Sequence, residues 1–170
     1  MLVHGFDMRR VFISAPGDLE AEREACRAVI SEVNQESAMP SKILLVSVGL
    51  VNDDHIVGYR SAVSQNIRDS TFYIQFFEDD WGPKNLFRKM FLLAAECRDD
   101  ASLPMRDVIV CLKDAPHETD AETLAFRREL EARADMRIVR FSTLESLRAE
   151  LTAICAGWVD AIRESAAAAG

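Results

Sequence analysis

The amino-acid sequence predicts an α/β protein in which one sheet of five parallel strands lies between two layers of helices. Strand-like and helix-like segments alternate five times along the chain, and the second strand-like segment is apolar almost throughout. The apolar residues of the helix-like segments recur with a period of about 3.6 residues. Such alternation forms right-handed βαβ units, and five strands favour the flavodoxin-type order 2-1-3-4-5.

The first half of the chain contains three strand patterns and two helix patterns. RVFIS is a short strand that ends at a Pro-Gly turn, and the following helix has an apolar stripe through Leu19, Cys26 and Val33. Asp18 is expected to be the N-cap of that helix, since its carboxylate can accept from the free N–H groups of the first turn. SKILLVSVGL is typical of a strand covered on both faces, a weaker helix pattern follows it, and TFYIQFF is aromatic and strand-like.

The second half repeats the alternation with RDVIVCL and RIVRF as strands. The predicted strands are residues 10–14, 41–50, 71–77, 106–112 and 137–141. The predicted helices are residues 18–35, 56–68, 84–98, 119–134 and 143–164. Residues 1–8 are expected to be a loose lead-in, 9–165 a single domain and 166–170 a frayed tail.

Composition excludes several classes of function. The 170 residues are 49% hydrophobic and carry a formal net charge of -8, which argues against non-specific nucleic-acid binding and against anionic membranes. There is no apolar run of about 18 residues and no signal-peptide pattern, so the protein is expected to be soluble and cytoplasmic. The four cysteines form no CxxC pair and the three histidines are not placed to complete a zinc site, so buried free thiols and no metal are expected.

The strand order also predicts where a ligand would bind, because ligands of such sheets lie beyond the carboxyl ends of the strands. Four loops share that edge: 15–18, 51–55, 78–84 and 114–117.

The first loop offers Ser14, Gly17 and Asp18 at a helix N-terminus, where backbone N–H groups favour an anion. The loop lacks a glycine-rich dinucleotide fingerprint, so a capped turn without a ligand is the alternative. Arg23 falls on the buried stripe of the helix and needs a partner there. Asp69 or the acids of the third loop are candidates for an ion pair, and a ligand-facing role is the alternative.

The third loop, within FFEDDWGP, is the richest functional candidate. Glu78, Asp79 and Asp80 are crowded, and crowded carboxylates raise one another's pKa, as acid–base catalysis requires. Trp81 could stack on a base or a nicotinamide ring. A solvated acidic loop with Trp81 packed as a lid on the core is the alternative interpretation.

Two stretches resemble a known family. FIS followed by a short loop and DLEAER resembles the opening of a TIR-like domain family of unknown function, and NIRDSTFYIQFFEDDWGP is similar to its second block. Ser14, Asp18 and Arg23 match the first block, and Gly82 matches the loop glycine of the second. Members often precede STAND-type NTPases, so the resemblance implies a TIR-like fold, self-association, an NTPase or effector partner, and a role in bacterial defence or stress signalling.

The resemblance also raises the question of NAD as a ligand or substrate. TIR domains that cleave NAD use a glutamate in a helix facing the cleft, but that end of helix 84–98 offers Asn85 and Arg88. Glu96 lies about three turns further along. An NAD hydrolase, or a related N-glycosidase or deoxyribosyl transferase, would therefore take its acid from the 78–80 loop, with Glu78 and Asp80 as the catalytic candidates.

Helix 84–98 further suggests a partner surface, because Arg88, Leu92 and Glu96 form one outward row while Phe87 and Phe91 face inward. An isolated exposed leucine is the alternative interpretation of this row. A receiver or flavodoxin-like module is a third functional class. A receiver has an acid pair after the first strand, where Asp18 stands alone here. A flavin site would need a phosphate loop rich in hydroxyl groups, and the first loop is poor in them.

Overall fold

The computed structural model describes residues 2–3, 5–49, 60–82 and 85–169. Its strands form one sheet. They are β1 (Leu2–Val3), β2 (Phe6–Ser14), β3 (Ile43–Gly49), β4 (Phe72–Phe77), β5 (Asp107–Lys113) and β6 (Arg137–Phe141). Strands β2 to β6 are parallel in the spatial order β3-β2-β4-β5-β6, which confirms the predicted 2-1-3-4-5 arrangement.

The beginning of the chain differs from the expected lead-in. Strand β2 starts at Phe6, and β1 pairs with it antiparallel through Leu2–Asp7 and Val3–Phe6. The start of β2, FDMRR, alternates apolar and charged residues, as a half-buried strand does. An ion pair of 2.8 Å between Arg9 and Asp7 lies on its polar side. Because charged residues interrupt the apolar pattern there, the sequence did not predict that the strand begins at Phe6.

The helices lie where the periodicity predicts them, with shifted ends. They are α1 (Glu20–Val33), α2 (Arg60–Arg68), α3 (Leu86–Asp99), α4 (Ala121–Glu131) and α5 (Leu144–Ala168). Residues 56–59 of the second predicted helix lie outside the described residues. The expected frayed tail is wrong for residues 166–168, which continue α5, because alanine has the highest helix propensity.

Two apolar cores separate the sheet from the helix layers. On one face, α1 and α5 pack through Leu19, Cys26, Leu151 and other residues of one cluster. On the other face, α2, α3 and α4 contribute to a second cluster through Ile67, Phe91 and Leu130. This arrangement confirms the three-layer α/β/α prediction. The four cysteines are buried free thiols, as expected. None of the described helices is long and apolar enough to span a membrane.

The outer edge of β3 contacts the end of the first helix rather than another described strand. After α1 the chain continues as a π-helical segment, Asn34–Ala38, and a 3₁₀ turn, Met39–Ser41. The Asn34 side chain donates to the carbonyl of Leu45 (2.8 Å) and accepts from its N–H (2.9 Å). One amide side chain thus takes the place of a neighbouring strand at Leu45.

Candidate functional site

The carboxyl ends of β2 and β4 bring distant acidic residues together. One carboxylate oxygen each of Asp18, Glu78 and Asp79 lies within 4.8 Å of the others. Asp18 precedes α1, whereas Glu78 and Asp79 directly follow β4. Hard divalent cations take oxygen ligands of this kind, although exposed acids also cluster without an ion. We call Asp18, Glu78 and Asp79 the acidic cluster.

Crowding changes the protonation of one member of the acidic cluster. The pKa of Asp79 is raised, first by desolvation and then by the negative charges of Asp18, Glu118 and Asp80. Bringing carboxylates together at a sheet edge is therefore unfavourable for the ionised form of Asp79. A bound cation or a proton would relieve this repulsion.

Lys113, the last residue of β5, links the acidic cluster to a buried glutamate. Its Nζ lies 2.8 Å from Glu22 and 3.5 Å from Glu78. The pKa of Lys113 is raised chiefly by the hydrogen bond to Glu22, against desolvation. Glu22 is only 5% exposed. Glu22 was not predicted as a site residue, although its spacing from Leu19 and Cys26 places it on the same buried stripe that identified Arg23.

A second missed residue, Arg127 of α4, holds the ends of two strands together. Its Nη1 donates to the carbonyl of Glu78 (2.6 Å) and its Nη2 to the carbonyl of Lys113 (2.8 Å). The residue is 8% exposed. Its position between Phe126 and Leu130 in the helix pattern was the available sequence signal. Arg127 fixes the backbone from which the acidic cluster projects.

The first loop starts helix α1 differently from the prediction for Asp18. Gly17, Asp18 and Leu19 form a 3₁₀ turn, so Leu19 is the N-cap of α1 and no side chain caps it. The expected Asp18 cap is wrong, because the turn places Asp18 within the first turn of the helical segment. Gly17 is exposed at the start of the turn. Ser14 is 1% exposed, beside a buried Tyr73–Gln75 hydrogen bond of 2.7 Å.

Arg23 is buried, at 7% exposure, as its place on the stripe predicts. Its Nη2 lies 4.0 Å from Glu20 of the preceding turn. The expected pairing with Asp69 is wrong, since Asp69 lies 3.7 Å from Arg10. Asp69 follows α2 just before β4 begins, at the amino edge of the sheet, while Arg23 lies near the carboxyl edge.

Trp81 is covered by aromatic rings. It stacks on Phe77 at 4.2 Å, meets Phe126 edge-on at 4.9 Å, and is 8% exposed. Its ring therefore completes the core as a lid, which was the alternative to stacking on a base. Gly82 (φ +70°) turns the chain beside it, and its N–H donates to Asp80 (3.0 Å).

Four predicted site residues share a groove between the 78–82 segment, α3 and α4. Asp80, Trp81, Asn85 and Arg88 line this depression of about 400 Å³. Five acids also line it: Asp79, Asp80, Asp120, Glu122 and Glu129. The Arg88 guanidinium lies 5.0 Å from the centre of the Phe126 ring. Glu78 lines a smaller depression together with His117.

Two members of the outward row of α3 are exposed as predicted, whereas the third, Arg88, is half-buried. Leu92 is 45% exposed and Glu96 is exposed, while Phe87, Met90, Phe91 and Ala94 are buried. Loop 51–55, the fourth predicted contributor to this edge, lies outside the described residues.

The fold and this edge define a Rossmann-like α/β domain with an acidic rim. No protein-family model matches the chain, and no curated protein matches it.

Proposed function

We propose that the chain is a TIR-like signalling or effector domain, active in bacterial defence or stress signalling, that works by associating with itself and with a partner such as an NTPase. The observation that carries this proposal is the outer face of α3. There Leu92 is 45% exposed between charged neighbours of the same helix row. The four free cysteines fit a reducing compartment such as the cytoplasm.

The α3 face has the composition of a small interface. An apolar side chain lies at its centre, and Arg88, Lys89 and Glu96 surround it. Interfaces commonly place apolar anchors in a polar rim, which aligns the partners and excludes water. Full burial of a leucine side chain contributes about 1.5–3 kcal/mol, so covering the exposed part of Leu92 would contribute roughly half of that.

Leu92→Glu tests this surface. Light scattering over a concentration series should show assembly of the unaltered protein, and the variant should remain monomeric, because a buried unpaired carboxylate is costly. Leu144→Glu is the matched control: Leu144 is 42% exposed and lies at the start of α5, on the other face of the sheet. The proposal fails if the unaltered protein does not assemble, or if both variants reduce assembly equally.

One observation favours an enzyme as the second candidate: the raised pKa of Asp79 in the acidic cluster. An NAD-cleaving hydrolase would use an acid of the 78–80 loop, although the covered ring of Trp81 leaves no face to stack on nicotinamide. Nicotinamide release from NAD, lost in Glu78→Gln, Asp79→Asn or Asp80→Asn, would establish this activity. Absence of release from the concentrated, assembled protein would reject it.

A further inference from the structure

A second cavity at the carboxyl edge of the sheet has the opposite electrostatic character to the acidic cluster. It has a volume of about 600 Å³ and lies where β5 and β6 end. Its polar lining consists of Asp114, Arg127, Arg128, Glu131, Arg140 and Ser142. Three guanidinium groups thus face two carboxylates, in a chain whose formal net charge is -8. We call this the arginine cavity.

The guanidinium groups of the arginine cavity are incompletely neutralised. Arg127 is 8% exposed, and its two hydrogen bonds go to backbone carbonyls. Within the described ranges, no carboxylate lies within ion-pair distance of Arg127 or of Arg128. Arg140 pairs with Glu131 at 3.0 Å. A buried cation balanced only by carbonyl dipoles favours an anion nearby.

The backbone around the arginine cavity adds to this preference. Ser142 lies between the end of β6 and Thr143, the N-cap of the 25-residue helix α5. The amino end of a long helix carries a partial positive charge and free N–H groups. A volume of about 600 Å³ is within the range of small-molecule sites, and this edge of a parallel sheet is where such ligands bind.

We propose that the arginine cavity binds a small phosphate-bearing molecule of nucleotide size or smaller. Arg128 and Arg140 contact the phosphate oxygens, since guanidinium groups match the geometry of phosphate. Arg127 supplies a fixed buried charge beneath them. Because Arg127 also binds the carbonyls of Glu78 and Lys113, the ligand contacts the same backbone that carries the acidic cluster. This site is independent of the α3 surface.

Calorimetric titration of the full chain with inorganic pyrophosphate at low ionic strength tests the proposal. We expect saturable binding that weakens about tenfold in Arg128→Gln, the loss of one charge-assisted contact. The Arg128 side chain has no hydrogen bond or ion pair within the described ranges, so this variant should keep the melting temperature of the unaltered protein. Arg140→Gln should also weaken binding.

Arg137→Gln is the matched control, because Arg137 is an exposed arginine of the same strand β6 that does not line the cavity. It should change the affinity less than about twofold. Lack of saturation by about 10 mM pyrophosphate, or equal losses in Arg128→Gln and Arg137→Gln, would overturn the proposal. A parallel titration with ADP identifies the ligand source: tighter binding than pyrophosphate indicates a nucleotide, and equal binding indicates recognition of the phosphate groups alone.

Discussion

Replacing Lys113 by Met should reveal how much the buried ion pair at the carboxyl edge contributes to stability. The Glu22 side chain is 6% exposed and lies 2.8 Å from Lys113 Nζ. Without the lysine, the Glu22 carboxylate loses its ion-pair partner in a buried place. Removing one partner of a buried pair costs about 3–5 kcal/mol.

Lys113 itself is 28% exposed, so water can partly replace it. We therefore expect the free energy of unfolding to fall by about 2–4 kcal/mol at about pH 7.

Denaturant unfolding at about pH 7 measures this difference. The double variant Glu22→Gln/Lys113→Met is the control, since it removes both charges of the pair and should recover at least half of the loss. A loss below about 1 kcal/mol, or no recovery in the double variant, would refute the reasoning, because Glu22 would then not depend on Lys113.

Two further changes test the segment after β4. Gly82→Ala should lower the free energy of unfolding by about 1–3 kcal/mol, because Gly82 has φ +70° and an added Cβ would lie 2.7 Å from the Phe87 ring. Urea unfolding measures this loss, and an unchanged free energy of unfolding would contradict the turn geometry. Asp79→Asn should raise stability by a few tenths of a kcal/mol at about pH 7, because desolvation and the negative charges of Asp18 and Glu118 raise the pKa of Asp79. A raised carboxyl pKa destabilises the folded state only at pH values above the pKa that the group has in the unfolded chain. The gain in stability should therefore vanish near about pH 3. A gain at all pH values would contradict the electrostatic cause.

The sheet could be predicted because its signals are local. Apolar runs such as the one from Ile43 to Gly49 and the aromatic run of β4 identify strands without knowledge of their neighbours. The regular alternation with helices then leaves few topologies, and the observed parallel order is among the commonest.

The site could be predicted only in part. Glu78, Asp79 and Asp80 were identified as crowded from adjacency alone, but the approach of Asp18 to Glu78 joins residues 60 positions apart. Glu22 and Lys113 are still further apart in the chain, and each resembles an ordinary surface residue in its own segment. Their pairing follows from the strand register, which a single sequence does not encode locally.

The failed prediction of an Asp18 cap has a similar origin. Asp18 is of a residue type that often caps helices, and it directly precedes an apolar stripe, a pattern that indicates the start of a helix. The Pro16 carbonyl instead accepts from the N–H of Leu19 (3.0 Å) and forms a 3₁₀ turn one residue earlier. Helix ends depend on such small shifts, and here one residue decides whether Asp18 caps a helix or faces Glu78.

The Asn34 amide on the edge of β3 has a consequence for how the chain reaches this structure. An apolar edge strand is a template on which another chain can add a strand and start aggregation. The Asn34 side chain blocks that template at Leu45, but it arrives only with the end of α1. Whenever α1 detaches from the sheet, this edge is open to other chains, so its protection is only as durable as the docking of that helix.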